Sequence, residues 1–392
     1  MINFKNGQPS ADLLPTQLFS EAAQKALSAP HAAVDMLQYG HELGHPEFLR
    51  NLATFLTNAY HSPVYSQHLC ATAGASLSLQ HILSILTRPE THTRHVYLQD
   101  PTYFLVFDIF LDVGYTRDQW VGIPEEGDSG MRLDLLEDHL VKHYQPNDST
   151  TFSSVLYCVP THANPTGSIL SAEKRQRLVE LGKKYNMLII CDDVYDILTF
   201  EGDIPKRLVA YDLESQGKSV VISNGSFSKL LAPGARVGWI EANERLIQRV
   251  GACGSFISGG SPSYLSSQII NQMLKDNVLF QHVEFLKKTH SDRLYRGLWA
   301  PIQEHLVPLG CSSEIRPKGG YFVWLKLPIK GSELMEIAQE HNIDVGVGLG
   351  TLFSVSNPDD YYVRLSFAHY DTETLKIGVT RLRQALLIGI PT

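Results

Sequence analysis

Long apolar runs are missing from this 392-residue chain; nothing in it approaches the roughly 18–20 uninterrupted apolar residues of a membrane-crossing helix. A surplus of positive charge is missing too. Acidic residues outnumber basic ones by 41 − 33 = 8, which argues against a general binder of nucleic acid or anionic membrane, since either needs a concentrated basic face. Cysteine is sparse: Cys70, Cys158, Cys191, Cys253 and Cys311 are scattered, with no C-x-x-C pair. That odd set reads as reduced thiols, with Cys158 and Cys191 as small core residues inside apolar runs. No internal repeat or low-complexity tract occurs, which excludes solenoids and disordered scaffolds. The opening Met1 to Gly7 resembles neither a signal peptide nor an Arg-rich transit helix. What is present is an apolar fraction of 43%, enough to bury a sizeable core. The expectation is a soluble, cytoplasmic, two-domain globular protein.

The middle of the chain alternates short apolar runs with helical patterns. Runs at 68–73, 95–99, 154–158, 187–192, 220–223 and 236–241 are nearly continuously apolar, as strands buried on both faces should be. Between two of them, 171–185 predicts a helix. Ser171 suits its N-cap, Glu173 its first turn, and Leu178, Leu181 and Tyr185 make an apolar stripe. Such alternation predicts an α/β domain around a mostly parallel sheet. After about residue 275 the pattern turns α+β. A long amphipathic helix is expected over 276–309, then strand-like 319–327 and 361–367, with helices near 332–341 and 372–387. A second, smaller domain is expected there.

One motif points the wrong way. His41-Glu42-Leu43-Gly44-His45 matches the zinc-protease pattern H-E-x-x-H. That pattern works only on a helix, where two histidines one turn apart face one metal. Gly40, Gly44 and Pro46 oppose a helix here, and no third ligand follows at metzincin spacing. We expect no metal, and a loop ahead of a helix over 46–58.

Four short segments, each at a predicted strand end, carry the chemistry. In the first, Gly74 leads into a helix at Ala75-Ser76, where free amides and a hydroxyl suit a phosphate. The second, Asn164-Pro165-Thr166-Gly167, follows an apolar strand and is also good turn chemistry. The third puts Asp192 at the end of a buried strand, with Tyr195 just beyond. A carboxylate there is costly to bury without a positive partner, and ligand crevices of open α/β sheets lie at such ends. In the fourth, Ser226-Phe227-Ser228-Lys229 leads into an apolar run, and Arg236 follows seven residues after the lysine. A lysine against apolar walls lowers its pKa and is able to form a Schiff base.

This ordered set resembles the class I/II aminotransferases of pyridoxal phosphate fold type I, and the resemblance spans the chain from Asn3 almost to its end. Asn3 to Pro9, Gln38-Tyr39-Gly40, Asp100-Pro101-Thr102-Tyr103, Gly319 to Trp324 and Arg364-Leu365-Ser366-Phe367 are similar to the 2-aminoadipate and aromatic aminotransferase subgroup. The implied fold is a large domain with a mostly parallel sheet flanked by helices, plus a smaller α+β C-terminal domain. Its expected divisions are an N-terminal arm (1–35) joining the small domain, a large domain (36–278) and a small domain (279–392). The implied cofactor is pyridoxal 5'-phosphate, attached to Lys229 as a Schiff base, with Lys229 then acting as the base. The resemblance gives Asp192 the pyridine nitrogen, Asn164 and Tyr195 the phenolic oxygen, and Tyr103 the ring face. Gly74, Ala75, Ser76, Ser226, Ser228 and Arg236 form the implied phosphate cup. Arg364 is the implied receptor for the substrate α-carboxylate, with Gly7 close by and Asn164 alongside. Tyr39 is implied to reach the phosphate of a second subunit, which makes the expected assembly a homodimer.

The expected reaction is a ping-pong exchange of an amino group between an L-amino acid (aromatic, aliphatic or aminoadipate-like) and a 2-oxo acid such as 2-oxoglutarate. No nucleic acid or membrane partner is expected. Two alternatives stay open: a pyridoxal phosphate C–S lyase or related lyase of the same fold, and the effector-binding module of a MocR-type regulator without its DNA-binding domain. Two features depart from the subgroup. The chain starts at the substrate segment, without the extra N-terminal helix of the aminoadipate enzymes, and 345–353 lacks the usual Pro-Gly before its aromatic residue. Which side chain is accepted is left open.

Overall fold

The computed structural model describes residues 1–146, 151–356 and 358–390. Its strands, in chain order, are β1 (Ile2–Asn3), β2 (Leu69–Thr72), β3 (His95–Asp100), β4 (Trp120–Pro124), β5 (Ser154–Cys158) and β6 (Met187–Asp192). They continue with β7 (Val221–Ser226), β8 (Gly238–Ala242), β9 (Phe322–Lys326), β10 (Val345–Gly346), β11 (Gly348–Leu349) and β12 (Tyr362–Ser366). Seven of them form a central sheet in the order β2-β8-β7-β6-β5-β3-β4. From β7 to β4 all pairings are parallel, and β8 alone runs against both of its neighbours.

β5, β6 and β7 are buried along their whole length. Covered on both faces, they carry no polar alternation, which is why their sequence is nearly continuously apolar. β7 extends past the expected 220–223 into polar Asn224-Gly225-Ser226, and β8 starts at Gly238 rather than 236. β4 escaped the sequence reading. It is an edge strand, mostly half-exposed, with a glycine and a proline that weaken the strand pattern. The helix Ala172–Lys184 forms as expected, with Ser171 Oγ accepting the Lys174 amide at 3.3 Å. Residues 41–45 are not helical. Gly44 has φ +116°, and His45 caps the helix Pro46–Tyr60 by accepting the Glu47 amide at Nδ1.

The expected helix over 276–309 is segmented. Val278–Asp292 is α-helical, Arg293–Trp299 widens into a π-helix, and Ala300–His305 returns to α. Beyond it, β11-β12-β9 make a small antiparallel sheet, and the helices Gly331–Glu340 and Thr372–Gly389 complete this part of the chain.

Two apolar cores result. The first gathers around the central sheet. The second joins Leu294, Leu298, Val323, Leu365, Val379 and Leu382, among others. Each such fully buried leucine or valine contributes about 1.5–3 kcal/mol of transfer free energy. Within the stretch 1–35, Ile2 and Phe4 pack into the second core, where β1 pairs with β10, while Ala22, Ala26 and Ala32 pack into the first. Among the described residues no helix is long and apolar enough to cross a membrane.

Candidate active site

A cavity of about 390 Å³ opens where the ends of β6 and β7 meet the start of the helix Ala75–Leu86 and the N-terminal segment. Of the residues predicted from sequence, Gly7, Ala75, Ser76, Tyr103, Asn164, Asp192, Tyr195, Ser226, Ser228, Lys229, Arg236 and Arg364 all line it. Gly74 lies directly behind its wall. Tyr39 is elsewhere, 80% exposed, on the outer surface.

Asp192 is the last residue of β6, and its burial is the first electrostatic fact of the site. Tyr157, on neighbouring β5, donates its hydroxyl to Oδ2 at 2.5 Å, while Oδ1 is buried without a partner. Burial pushes the carboxyl up to about 6, with Asp193 adding, against the pull of the Tyr157 hydrogen bond and the Lys229 charge. A buried acceptor left unpaired is costly. An N–H delivered into the cavity satisfies it. Asp193, one residue on, does not line the cavity; its Oδ2 accepts from Ser223 Oγ at 2.5 Å.

Lys229 follows the polar end of β7. Its Nζ donates to the Gly7 carbonyl at 2.8 Å, and the hydroxyl of Tyr321 donates to the Lys229 carbonyl at 3.2 Å. Burial lowers the amine to about 8, and the Arg364 charge lowers it further against Asp192. A share of the amine is therefore unprotonated near neutral pH.

The same cavity holds an anion cradle. Gly74 caps the helix Ala75–Leu86 with φ +90°, a conformation open to glycine and strained for other residues. A Cβ there would meet Arg236 Nη2 at 2.9 Å, so the missing side chain lets the guanidinium lie against the helix start. Arg236 is held by the Ala73 and Pro233 carbonyls, both at 3.1 Å. Ser226 Oγ donates to Ser228 Oγ at 2.9 Å and accepts the Ser228 amide at 3.1 Å. Helix amides, two hydroxyls and a guanidinium converge, which is the chemistry of a phosphate site.

The far wall carries the second cation. Arg364, from β12, is 5% exposed. Its Nη1 donates to Asn164 Oδ1 at 2.8 Å and its Nη2 to the Lys5 carbonyl at 3.0 Å. The guanidinium lies 4.1 Å from the Phe322 ring centroid and 4.7 Å from that of Phe353. Nε is buried without a partner. Burial lowers this arginine to about 10, and the groups that oppose the shift are Tyr195 and Tyr103, not a carboxylate. A buried guanidinium with only neutral partners is set to receive an anion.

Sequence reasoning missed Tyr157, Phe322 and Phe353 as site residues. A tyrosine inside an apolar strand needs a partner for its hydroxyl, and that was the available signal for Tyr157. The two phenylalanines gave none, since aromatic residues in apolar segments read as core.

Comparison with known proteins agrees with this geometry. The chain matches the aminotransferase class I and II family over residues 1–382. An uncharacterized protein of Saccharomyces cerevisiae is 34% identical over 371 residues, covering 83% of this chain and 82% of the yeast one. Aromatic-amino-acid aminotransferase 1 of Thermococcus litoralis is 28% identical over 389 residues, covering 98% and 88%. Among solved structures, the α-aminoadipate aminotransferase LysN of Thermus thermophilus, complexed with phosphopyridoxyl-leucine, superposes with a TM-score of 0.83 at 26% identity, covering 100% of this chain and 94% of LysN. The chain belongs to the class I and II aminotransferases and is a pyridoxal-phosphate-dependent transaminase.

Proposed function

We propose that the protein moves an amino group between an L-amino acid and a 2-oxo acid such as 2-oxoglutarate, in a ping-pong exchange. One observation carries this reading: the Lys229 amine, the unpartnered Asp192 Oδ1 and the carboxylate-free Arg364 guanidinium share one cavity. These side chains fit pyridoxal phosphate. The orphan Asp192 oxygen would accept the pyridine N–H, and the cradle of Gly74, Ala75, Ser76, Ser226, Ser228 and Arg236 would hold the phosphate. Tyr103 offers a ring face, and Asn164, bonded to Arg364, and Tyr195 line the same cavity.

Bound there, the cofactor supplies an electron sink for negative charge at the substrate α-carbon. The protein supplies the rest. Arg364 takes the α-carboxylate as a bidentate pair and so fixes which α-substituent faces Lys229. Lys229, shielded from water and with its pKa lowered, is the base that would take the proton from the substrate α-carbon at Nζ. Tyr157 holds Asp192 by Oδ2, which leaves Oδ1 as the oxygen that would meet the ring nitrogen. Gly7, with a Cβ position 2.9 Å from Phe322, keeps the main chain close over the carboxylate.

The exposed face around Tyr39 supports a homodimer. Leu37 and Ile257 are 66% and 61% exposed, and the Gly40 amide donates to the Gly259 carbonyl, so the two segments form one apolar surface. In this arrangement Tyr39 reaches the cofactor phosphate of the second copy. The proposed division is an N-terminal arm at 1–35, whose first residues join the small domain while Ala22, Ala26 and Ala32 pack on the large one, a large domain at 36–278 and a small domain at 279–392; residues 147–150, 357 and 391–392 lie outside the described ones.

The test is a half reaction. The purified holoenzyme, given a panel of L-amino acids without any 2-oxo acid, should change its visible absorbance once and stop; 2-oxoglutarate should restore it. Sustained release of pyruvate and ammonia without a 2-oxo acid would instead identify a lyase. Borohydride reduction should label a peptide that contains Lys229; a label elsewhere overturns the assignment.

A further inference from the structure

The segment between β11 and β12 grows out of the small sheet, yet its far end is fastened to the central one. Asp100, the last residue of β3, is 7% exposed. Its Oδ1 accepts the Val355 amide at 3.2 Å and its Oδ2 the Ser356 amide at 3.0 Å. Two residues on, the Thr102 amide donates to the Phe353 carbonyl at 2.8 Å. The Val355 side chain packs against the core around the central sheet. Thus three backbone groups of residues 353–356 are held by residues 100–102, across the junction of the two cores.

Between these anchors sits Phe353, fully buried. Its ring lies 4.7 Å from the Arg364 guanidinium, edge-on to Phe104 at 5.5 Å and to Trp324 at 5.7 Å. Arg364 has two hydrogen bonds to neutral oxygens and an unpartnered Nε. Its remaining support is the pair of rings, Phe322 at 4.1 Å and Phe353 at 4.7 Å. A planar cation in contact with two aromatic rings is restrained in tilt, and a bidentate grip on a carboxylate depends on that tilt. Gly122 on β4 makes the fastening possible. A Cβ there would fall 2.5 Å from Asp100 Oδ2 and closer still to Ser356 Oγ.

We infer that Asp100 is a positioning residue for recognition of the substrate carboxylate: it straps residues 353–356 to the central sheet, and the strap holds Phe353 against Arg364. The inference rests on the reading of Arg364 as carboxylate receptor. The strap touches neither the phosphate cradle nor Lys229, so it acts on substrate binding and not on cofactor retention.

The holoenzyme with Asp100→Asn and, separately, Gly122→Ala tests it. The first replaces one of two charged acceptors by an N–H donor facing an N–H. The second crowds the same contact from the other side and leaves Asp100 in place. In both, the Kd for phenylpropionate, an unreactive carboxylate, and the KM for amino acids should rise roughly five- to tenfold, the scale of one ordinary hydrogen bond. kcat, cofactor content and the Kd for phenylethylamine should stay within twofold, and the Val355 and Ser356 amides should exchange faster with solvent. Equal weakening of acid and amine, or a lowered Tm with carboxylate affinity unchanged, overturns the inference. Arg364→Lys is the control. If it leaves the carboxylate preference intact, the reading of Arg364 itself fails; if it abolishes the preference while both strap variants keep it, only the strap fails.

Discussion

The half of the cavity made by Gly74–Ser76, Asp192 and Ser226–Arg236 comes from short segments at the ends of central-sheet strands. The half made by Gly7, Phe322 and Arg364, with Phe353 behind Arg364, comes from two ends of the chain and a strap between sheets. In the first half each special residue answers a local demand, such as a positive φ at Gly74 or a polar end on the otherwise apolar β7. In the second, Arg364 is held by partners 200 and 359 residues away. The first half is therefore set once the sheet forms, whereas the second exists only when the two cores dock. The cofactor side should tolerate damage to the docking, and the substrate side should not.

Substitutions sharpen that contrast. Lys229→Ala belongs to the cofactor half and should have the largest effect. Losing a positioned base costs roughly a hundred- to ten-thousand-fold in turnover, and borohydride should no longer fix the cofactor to the chain. Arg364→Lys belongs to the other half. Breaking a buried bidentate charge pair costs about 2–5 kcal/mol, roughly 30-fold to several thousand-fold in kcat/KM. That loss should fall on amino acids and spare the corresponding amines, with cofactor content unchanged; equal losses would assign Arg364 to the fold.

Asp192 and Asp193 repeat the contrast within one strand end. Asp193 is paired with Ser223, whereas Asp192 keeps one oxygen free. Because burial raises Asp192 from 3.8 to about 6, the native chain binds more protons than the unfolded chain between those values. Stability of the cofactor-free protein falls as pH rises through that window, by about 3 kcal/mol in all. Asp192→Asn removes this penalty. The cofactor-free variant should melt above wild type at pH 7–8 and alongside it below about pH 4, as read by calorimetry, yet turn over slowly once loaded. Normal turnover in this variant would remove Asp192 from the mechanism. The smallest effect should come from Ser226→Ala, which takes one hydroxyl from the cradle; cofactor retention, followed by dialysis, should weaken roughly tenfold.

The sequence carried much of the first half. Apolar runs that end in Asp192 or in Ser226–Lys229 mark both the strand and the edge where it stops, because a buried strand has no other use for those polar groups. Strand β4 was not legible, since an edge strand is freed from the need for continuous apolar residues.

By itself, then, the chain determined the alternation of strands and helices, the order of the motifs and the chemical types offered at each strand end. Those follow from local periodicity and from the cost of burying charge, and neither needs a partner segment. Only the tertiary structure decided that Tyr157 takes one oxygen of Asp192 and leaves the other free, that Arg364 meets both Phe322 and Phe353, and that Asp100 reaches Val355 and Ser356. Each of these is a contact between elements far apart in the chain, fixed by strand register and by how the two cores close on one another, which no local pattern encodes.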